Sequence, residues 1–170
     1  MEVGASPDRC FDVVRSQRLG GSRCFLVSSG GGHLSQLAEL CGDWPQDAQH
    51  WITFDSRQSR TLLAGRRVTF AHGPTNRSVG SLLRNLLLAW RLVRRHRPQT
   101  ILTTGAGIAV PFCYVGRLLG CRVVYVECLS RVSEPSLTGR LVQPVAHELF
   151  VQWPQLVSSY RRARYLGTVY

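Results

Sequence analysis

The sequence predicts an α/β domain built on a doubly wound, mostly parallel sheet, and three features carry that expectation. Short apolar runs alternate with segments of helical period from Arg23 onward. One run, Cys121 to Val126, is nearly all apolar, as a parallel strand covered on both faces requires. Glycine-rich turns, Ser28 to His33 and Thr103 to Gly107, join a strand directly to a helix. In sheets of this kind ligands sit beyond the carboxyl ends of the strands, at such turns.

The elements follow in order. Cys24 to Ser28 is the first strand, and Leu34, Leu37, Ala38 and Cys41 then fall on one helical face. His50 to Phe54 is the second strand, after which Asp55 and Ser56 can cap a short helix through Leu63. Arg67 to Ala71 is the third strand. The longest helix runs from Val79 to Arg95 and is halted by Pro98. Thr100 to Thr104 is the fourth strand, and Ile108 to Leu119 the next helix, with Pro111 in its first turn and Gly120 as its stop. Beyond the fifth strand come a loop from Glu127 to Pro135, a helix from Leu137 to Val145, and a sixth strand from His147 to Val151. The aromatic and basic tail, Trp153 to Tyr170, is assigned no element. Residues 1–22 read as a flexible leader, and residues 23–170 as one domain.

Composition narrows the function classes. With 44% hydrophobic residues the chain can pack an interior, so wholesale disorder is excluded. No apolar run approaches the roughly 20 residues of a spanning helix, and the N-terminus lacks a secretory pattern. A cytoplasmic chain without an N-terminal anchor is the expectation. Cys10, Cys24, Cys41, Cys113, Cys121 and Cys128 form no C-x-x-C pair and read as reduced, mostly buried thiols. Clusters with metal-ligand spacing are absent, so neither a metal nor a cofactor is expected. The net charge of +11 is carried by arginine, with no lysine in the chain. Such an excess suits a nucleic acid, a lipid surface or a phosphorylated substrate, or is simply a solvated surface. Helix-turn-helix, zinc and RNA-recognition signatures are missing, so no nucleic-acid partner is expected.

The candidate chemistry gathers at the strand ends. Gly30, Gly31 and Gly32 let a backbone approach a ligand closely, and the helix start behind them can hold negative charge. The glycines are contiguous and no lysine follows, so the turn is neither a dinucleotide fingerprint nor a Walker-type loop. His33 is a base near neutral pH, an acceptor-bonding group or a helix cap. Gly105 and Gly107 cradle a phosphate or only make a tight turn. Glu127, directly after the fifth strand, bonds sugar hydroxyls, takes a proton or caps the next turn. Arg131 and Ser136, with Ser133 and Arg140, surround the following helix start, where a pyrophosphate or an ordinary ion pair would fit.

The long helix bears on membranes. At about 100° per residue, Leu82, Leu86, Ala89, Trp90 and Val93 fall together and are expected to face the sheet. Arg84, Arg91 and Arg95 lie opposite, flanked by Leu87 and Leu88, a pattern that fits a helix resting on anionic headgroups. Those leucines would equally suit another subunit.

Ser28 to His33 with Leu34-Ser35-Gln36-Leu37 resembles the opening of PssD-type bacterial exopolysaccharide proteins. It is similar also to the eukaryotic acceptor subunit of the N-acetylglucosaminyltransferase that adds the second sugar to dolichol pyrophosphate. Thr103 to Gly107, Val126-Glu127, Arg131, Ser136 to Arg140, Phe150 to Pro154 and Tyr165 to Gly167 occur in that family's order. The glycine turn resembles, too, that of the single-chain peptidoglycan lipid-intermediate N-acetylglucosaminyltransferase. The resemblance implies a Rossmann-like N-terminal half of a GT-B glycosyltransferase, completed by a separate donor-binding subunit in a heterodimer. It implies inverting transfer from a nucleotide-sugar to a lipid-linked saccharide at the inner face of a membrane. His33 would be base or orienting group, Glu127 the alternate, and the glycine turns with Arg131 and Ser136 would hold the acceptor diphosphate. The rival readings are a stand-alone nucleotide-binding enzyme and a tethering subunit with no catalytic residue.

Overall fold

The computed structural model describes residues 23–42, 44–73, 79–165 and 167–170. The leader expected over residues 1–22 lies outside them, as does Cys10. The strands are β1 (Cys24–Val27), β2 (Gln49–Phe54), β3 (Val68–Ala71), β4 (Thr100–Thr103), β5 (Arg122–Val126), β6 (Glu148–Val151) and β7 (Ala163–Tyr165). The α-helices are α1 (Gly32–Leu40), α2 (Arg57–Leu62), α3 (Val79–His96), α4 (Ala109–Leu118) and α5 (Leu137–Val142). All seven strands are parallel, in the order β3-β2-β1-β4-β5-β6-β7. Chain order reverses between β1 and β4, where Val27 pairs with Thr103. This is the doubly wound Rossmann-like arrangement, and its switch point is where a crevice opens.

Alternation along each strand feeds two layers. Leu26, Trp51, Leu102 and Val124 pack with Leu34, Leu37 and Leu40 of α1 on one face. Phe25, Val27, Ile52 and Ile101 pack with Ala89 and Val93 of α3 and Phe112 of α4 on the other. Val123, Tyr125 and Val151 continue that second face beneath α5. The buried strands are apolar on both sides because both faces are covered. Ser56 caps α2 in a reciprocal box with Ser59, as the Asp55-Ser56 start suggested. Cys24, Cys41, Cys113 and Cys121 are buried free thiols, and burial pushes Cys24 up to about 12.

Three expectations are corrected. The helix expected from Leu137 to Val145 ends at Val142, because Pro144 cannot extend the hydrogen-bond ladder. The tail is ordered: a 3-10 turn, Pro154–Ser159, leads into the edge strand β7. The third correction concerns α3. Leu82, Leu86 and Trp90 are exposed, and the face against the sheet is Ser81, Asn85, Ala89 and Val93. Asn85 explains the rotation. Its Oδ1 accepts from His72 N–H at 2.9 Å and its Nδ2 donates to His72 C=O at 2.8 Å, which satisfies the backbone leaving β3. Leu88, expected on the outer side, is half-buried and packs on the core, whereas Leu87, Arg84, Arg91 and Arg95 are exposed as expected.

Candidate functional site

The two glycine turns leave β1 and β4, which are neighbours, so the topology alone brings them together. Two hydrogen bonds lock them. His33 Nδ1 donates to the Thr104 carbonyl at 2.8 Å, and Thr104 Oγ1 donates to the His33 carbonyl at 2.8 Å. A carbonyl can only accept, so Nδ1 carries the proton and the lone pair of the neutral ring lies on Nε2. Gly105, with φ of 106°, takes a bond from its own N–H to Thr103 Oγ1 at 3.0 Å. A Cβ there would stand 3.0 Å from the Tyr125 hydroxyl and 3.6 Å from His33 Cε1, so glycine is required. Ala106 next to it holds a left-handed φ of 69°, a strained conformation for a non-glycine residue at a cleft wall.

His33 faces a cleft of about 780 Å³. Phe54, Val110, Leu137 and Leu141 supply apolar walls, and Gly107, Arg131 and Ser136 supply polar ones. A second lobe of about 440 Å³, lined by Gly32, Gln36, Leu129 and the terminal Tyr170, meets the first at His33. Such a mixture of apolar walls and convergent polar groups suits an amphipathic ligand with an anionic centre. The structure therefore gathers His33, Gly107, Arg131 and Ser136 around one opening, with Gly32 in the second lobe. Gly105, expected to help hold a phosphate, lines neither lobe: its N–H is taken by Thr103 Oγ1 and it packs against the Tyr125 hydroxyl.

Other expected residues sit differently. Gly31, with φ of 70°, donates its N–H to Gln58 Oε1 at 2.6 Å, so that donor is engaged by protein and is not presented to a ligand. Gln58 Nε2 also donates to the Gly31 carbonyl and to Ser35 Oγ, each at 3.2 Å. Gly30 packs under the same side chain, 3.7 Å from Gln58 Oε1 to a built Cβ. Glu127 is wholly buried beneath the cleft wall. Its Oε1 accepts from Cys128 N–H (2.9 Å) and the Tyr125 hydroxyl (3.1 Å). Its Oε2 accepts from Ser136 N–H (3.1 Å), Ser136 Oγ (3.0 Å) and the Tyr160 hydroxyl. The expectation that it caps the following turn matches this geometry; a base open to substrate does not.

Sequence reading missed Gln36, Gln58, Tyr125, Gln152 and Tyr160. Gln36 and Gln152 both donate to the Glu127 carbonyl, at 3.3 and 2.8 Å, and so hold the end of β5. Tyr125 lies two residues before Glu127 on the same strand face, a relation that the period of two makes legible. Gln58 and Tyr160 reach their partners across 27 and 33 residues, and no local signal marks them.

Comparison with known proteins identifies the lineage. A model of the family described as "Oligosaccharide biosynthesis protein Alg14 like" matches residues 45–169. The chain belongs to the Alg14-like family. Among curated relatives, the UDP-N-acetylglucosamine transferase subunit ALG14 of Rattus norvegicus is 35% identical over 95% of this chain and 88% of its own length. That of Debaryomyces hansenii is 38% identical over 97% and 83%. Against the relative of Eremothecium gossypii, 38% identical over 66% of this chain, the match spans 59% of that protein's length. In fold, the Alg14-like domain is similar to the crystal structure of Acinetobacter baumannii MurG, with a TM-score of 0.68 at 16% identity, over 84% of this chain and 44% of that one. It is similar also to UDP-N-acetylglucosamine 2-epimerase from Rickettsia bellii, with a TM-score of 0.64 at 9% identity, over 87% and 45%.

Proposed function

We propose that this chain is the acceptor-binding, membrane-associating subunit of a split inverting glycosyltransferase. Its substrates are a nucleotide-sugar, held by a partner chain, and a polyprenyl-pyrophosphate-linked saccharide, held here. The relatives' names support UDP-N-acetylglucosamine as the donor. The PssD-type likeness of the opening turn adds bacterial polysaccharide lipids to the acceptors worth assaying.

The observation that carries this reading is the Thr104-held imidazole at the mouth of an apolar-walled cleft. The acceptor hydroxyl attacks the anomeric carbon, His33 Nε2 takes its proton, and the nucleoside diphosphate leaves with the bonding electrons. Because Nδ1–H is fixed on a backbone carbonyl, the ring needs no reorganisation to accept that proton. Arg131 and the N–H groups near Gly32 and Gly107 would meet the acceptor diphosphate. Gly31 is outside this set because Gln58 takes its N–H.

Membrane association rests on α3. Val79, Leu82, Leu83, Leu86, Leu87 and Trp90 are exposed, with Arg84, Arg91, Arg94 and Arg95 exposed around them. No helix among the described residues is long and apolar enough to cross a membrane. A peripheral contact from the inner face, apolar side chains down and arginines on headgroups, accounts for that surface. The decisive experiment is co-expression with a donor-binding subunit, followed by transfer assays on polyprenyl-pyrophosphate saccharides. His33→Ala should lower turnover by at least about a hundredfold; near-normal turnover would leave only the tethering role.

A further inference from the structure

Arg131 is carried by a loop without secondary structure, from Cys128 to Pro135, and the ends of that loop are fastened to a single carboxyl group. Cys128 N–H bonds Glu127 Oε1 at 2.9 Å, and Ser136 N–H bonds Glu127 Oε2 at 3.1 Å. Ser136 also caps α5 by accepting from Gly139 N–H at 2.9 Å. Glu127 thus closes the loop like a clasp, directly under the wall that Arg131, Ser136 and Leu137 present to the cleft.

The remaining donor to Oε2 comes from outside the loop. Tyr160 follows the 3-10 turn of the tail; its side chain is buried and its hydroxyl bonds Glu127. The fit leaves no slack: a Cβ on Gly139 would lie 2.1 Å from the Tyr160 hydroxyl and 2.7 Å from Glu127 Oε2. Burial, together with the hydrogen bond to Glu127, pushes the Tyr160 phenol upward, and burial beside Glu127 does the same to Tyr125. Both stay protonated donors.

We propose that Tyr160 is a positioning residue for the acceptor, an inference that rests on reading this cleft as the acceptor site. By holding the Glu127 carboxyl against the first turn of α5, it ties the shape of the Arg131 wall to the docking of the C-terminal segment.

The test uses Tyr160→Phe and Glu127→Gln in the full chain. Hydrogen–deuterium exchange should speed up by about tenfold in the loop and first turn of α5, the scale of losing one hydrogen bond. Amides of β1, β2 and β4 should keep their protection. In the pair assembled with the donor-binding subunit, the acceptor KM should rise by about the same factor, with kcat and donor KM within about twofold. Unchanged exchange in the loop would overturn the proposal. So would loosened exchange with an unchanged acceptor KM, or protection lost evenly across the sheet, which marks a merely structural tyrosine. If the assembled wild-type pair transfers no sugar to any lipid-linked saccharide, the acceptor reading itself fails, and the exchange data still judge the clasp.

Discussion

At the scale of single residues, the tightest constraints are steric and electrostatic. Gly139→Ala must push apart the Tyr160 hydroxyl and Glu127, so it should destabilise the fold by about 1–3 kcal/mol, the usual cost of overpacking. A lowered urea midpoint with an unchanged slope would be the readout. His50 makes a different prediction. It is buried, bonded through Nε2 to Thr69 Oγ1 at 2.8 Å, and stacked edge-on to His96 at 5.1 Å. Burial, then Arg67 and His96, lower it from 6.5 to about 4. The unfolded chain therefore binds a proton that the folded one refuses, and stability falls as pH drops from about 6.5 to about 4. His96, lowered for the same reason, adds with the same sign. Stability curves for His50→Phe should lose part of that slope; an unaltered slope would show that another group sets it.

At the scale of elements, α3 shows how a polar contact overrides a hydrophobic pattern. Counting leucines turns Leu82 and Leu86 inward, yet Asn85 is the residue that faces the sheet. Asn85→Leu improves the apolar stripe on paper but orphans the N–H and C=O of His72. It should cost about 1–3 kcal/mol, measurable by thermal or urea unfolding. The same rotation moves Leu82, Leu83 and Leu86 into the exposed surface beside Leu87. Leu83→Ser with Leu87→Ser should weaken binding to anionic vesicles at any salt concentration. Replacing Arg84, Arg91 and Arg95 with glutamine should remove about 1 kcal/mol per charge and weaken the salt dependence, with Arg94 left to sustain the remainder. Binding that survives both sets of changes would move the membrane contact elsewhere.

At the scale of the whole molecule, the sheet order places one open crevice at the β1–β4 switch, with His33 between its two lobes. Tyr170 borders the smaller lobe. An open crevice at this switch is consistent with a second polypeptide completing the site. Calorimetry on the isolated chain should then detect a soluble short-chain lipid-linked saccharide and not a nucleotide-sugar. Tight nucleotide-sugar binding by this chain alone would instead favour the stand-alone nucleotide-binding enzyme.

The sequence by itself determined the strand–helix alternation, both glycine turns and the candidate residues at the strand ends. Those features depend on local chemistry: the periods of strand and helix, and the freedom of glycine. It left the tail without structure, because β7 is only three residues long and interrupted by Arg164. The tertiary structure alone decided which face of α3 is buried, which N–H of the first turn is taken by protein, and that Glu127 is held by protein. Each of these depends on a hydrogen-bond partner distant in the chain: His72 for Asn85, Gln58 for Gly31, Tyr160 for Glu127. A pattern of residue types records which groups can bond, and only the packed chain selects the partners.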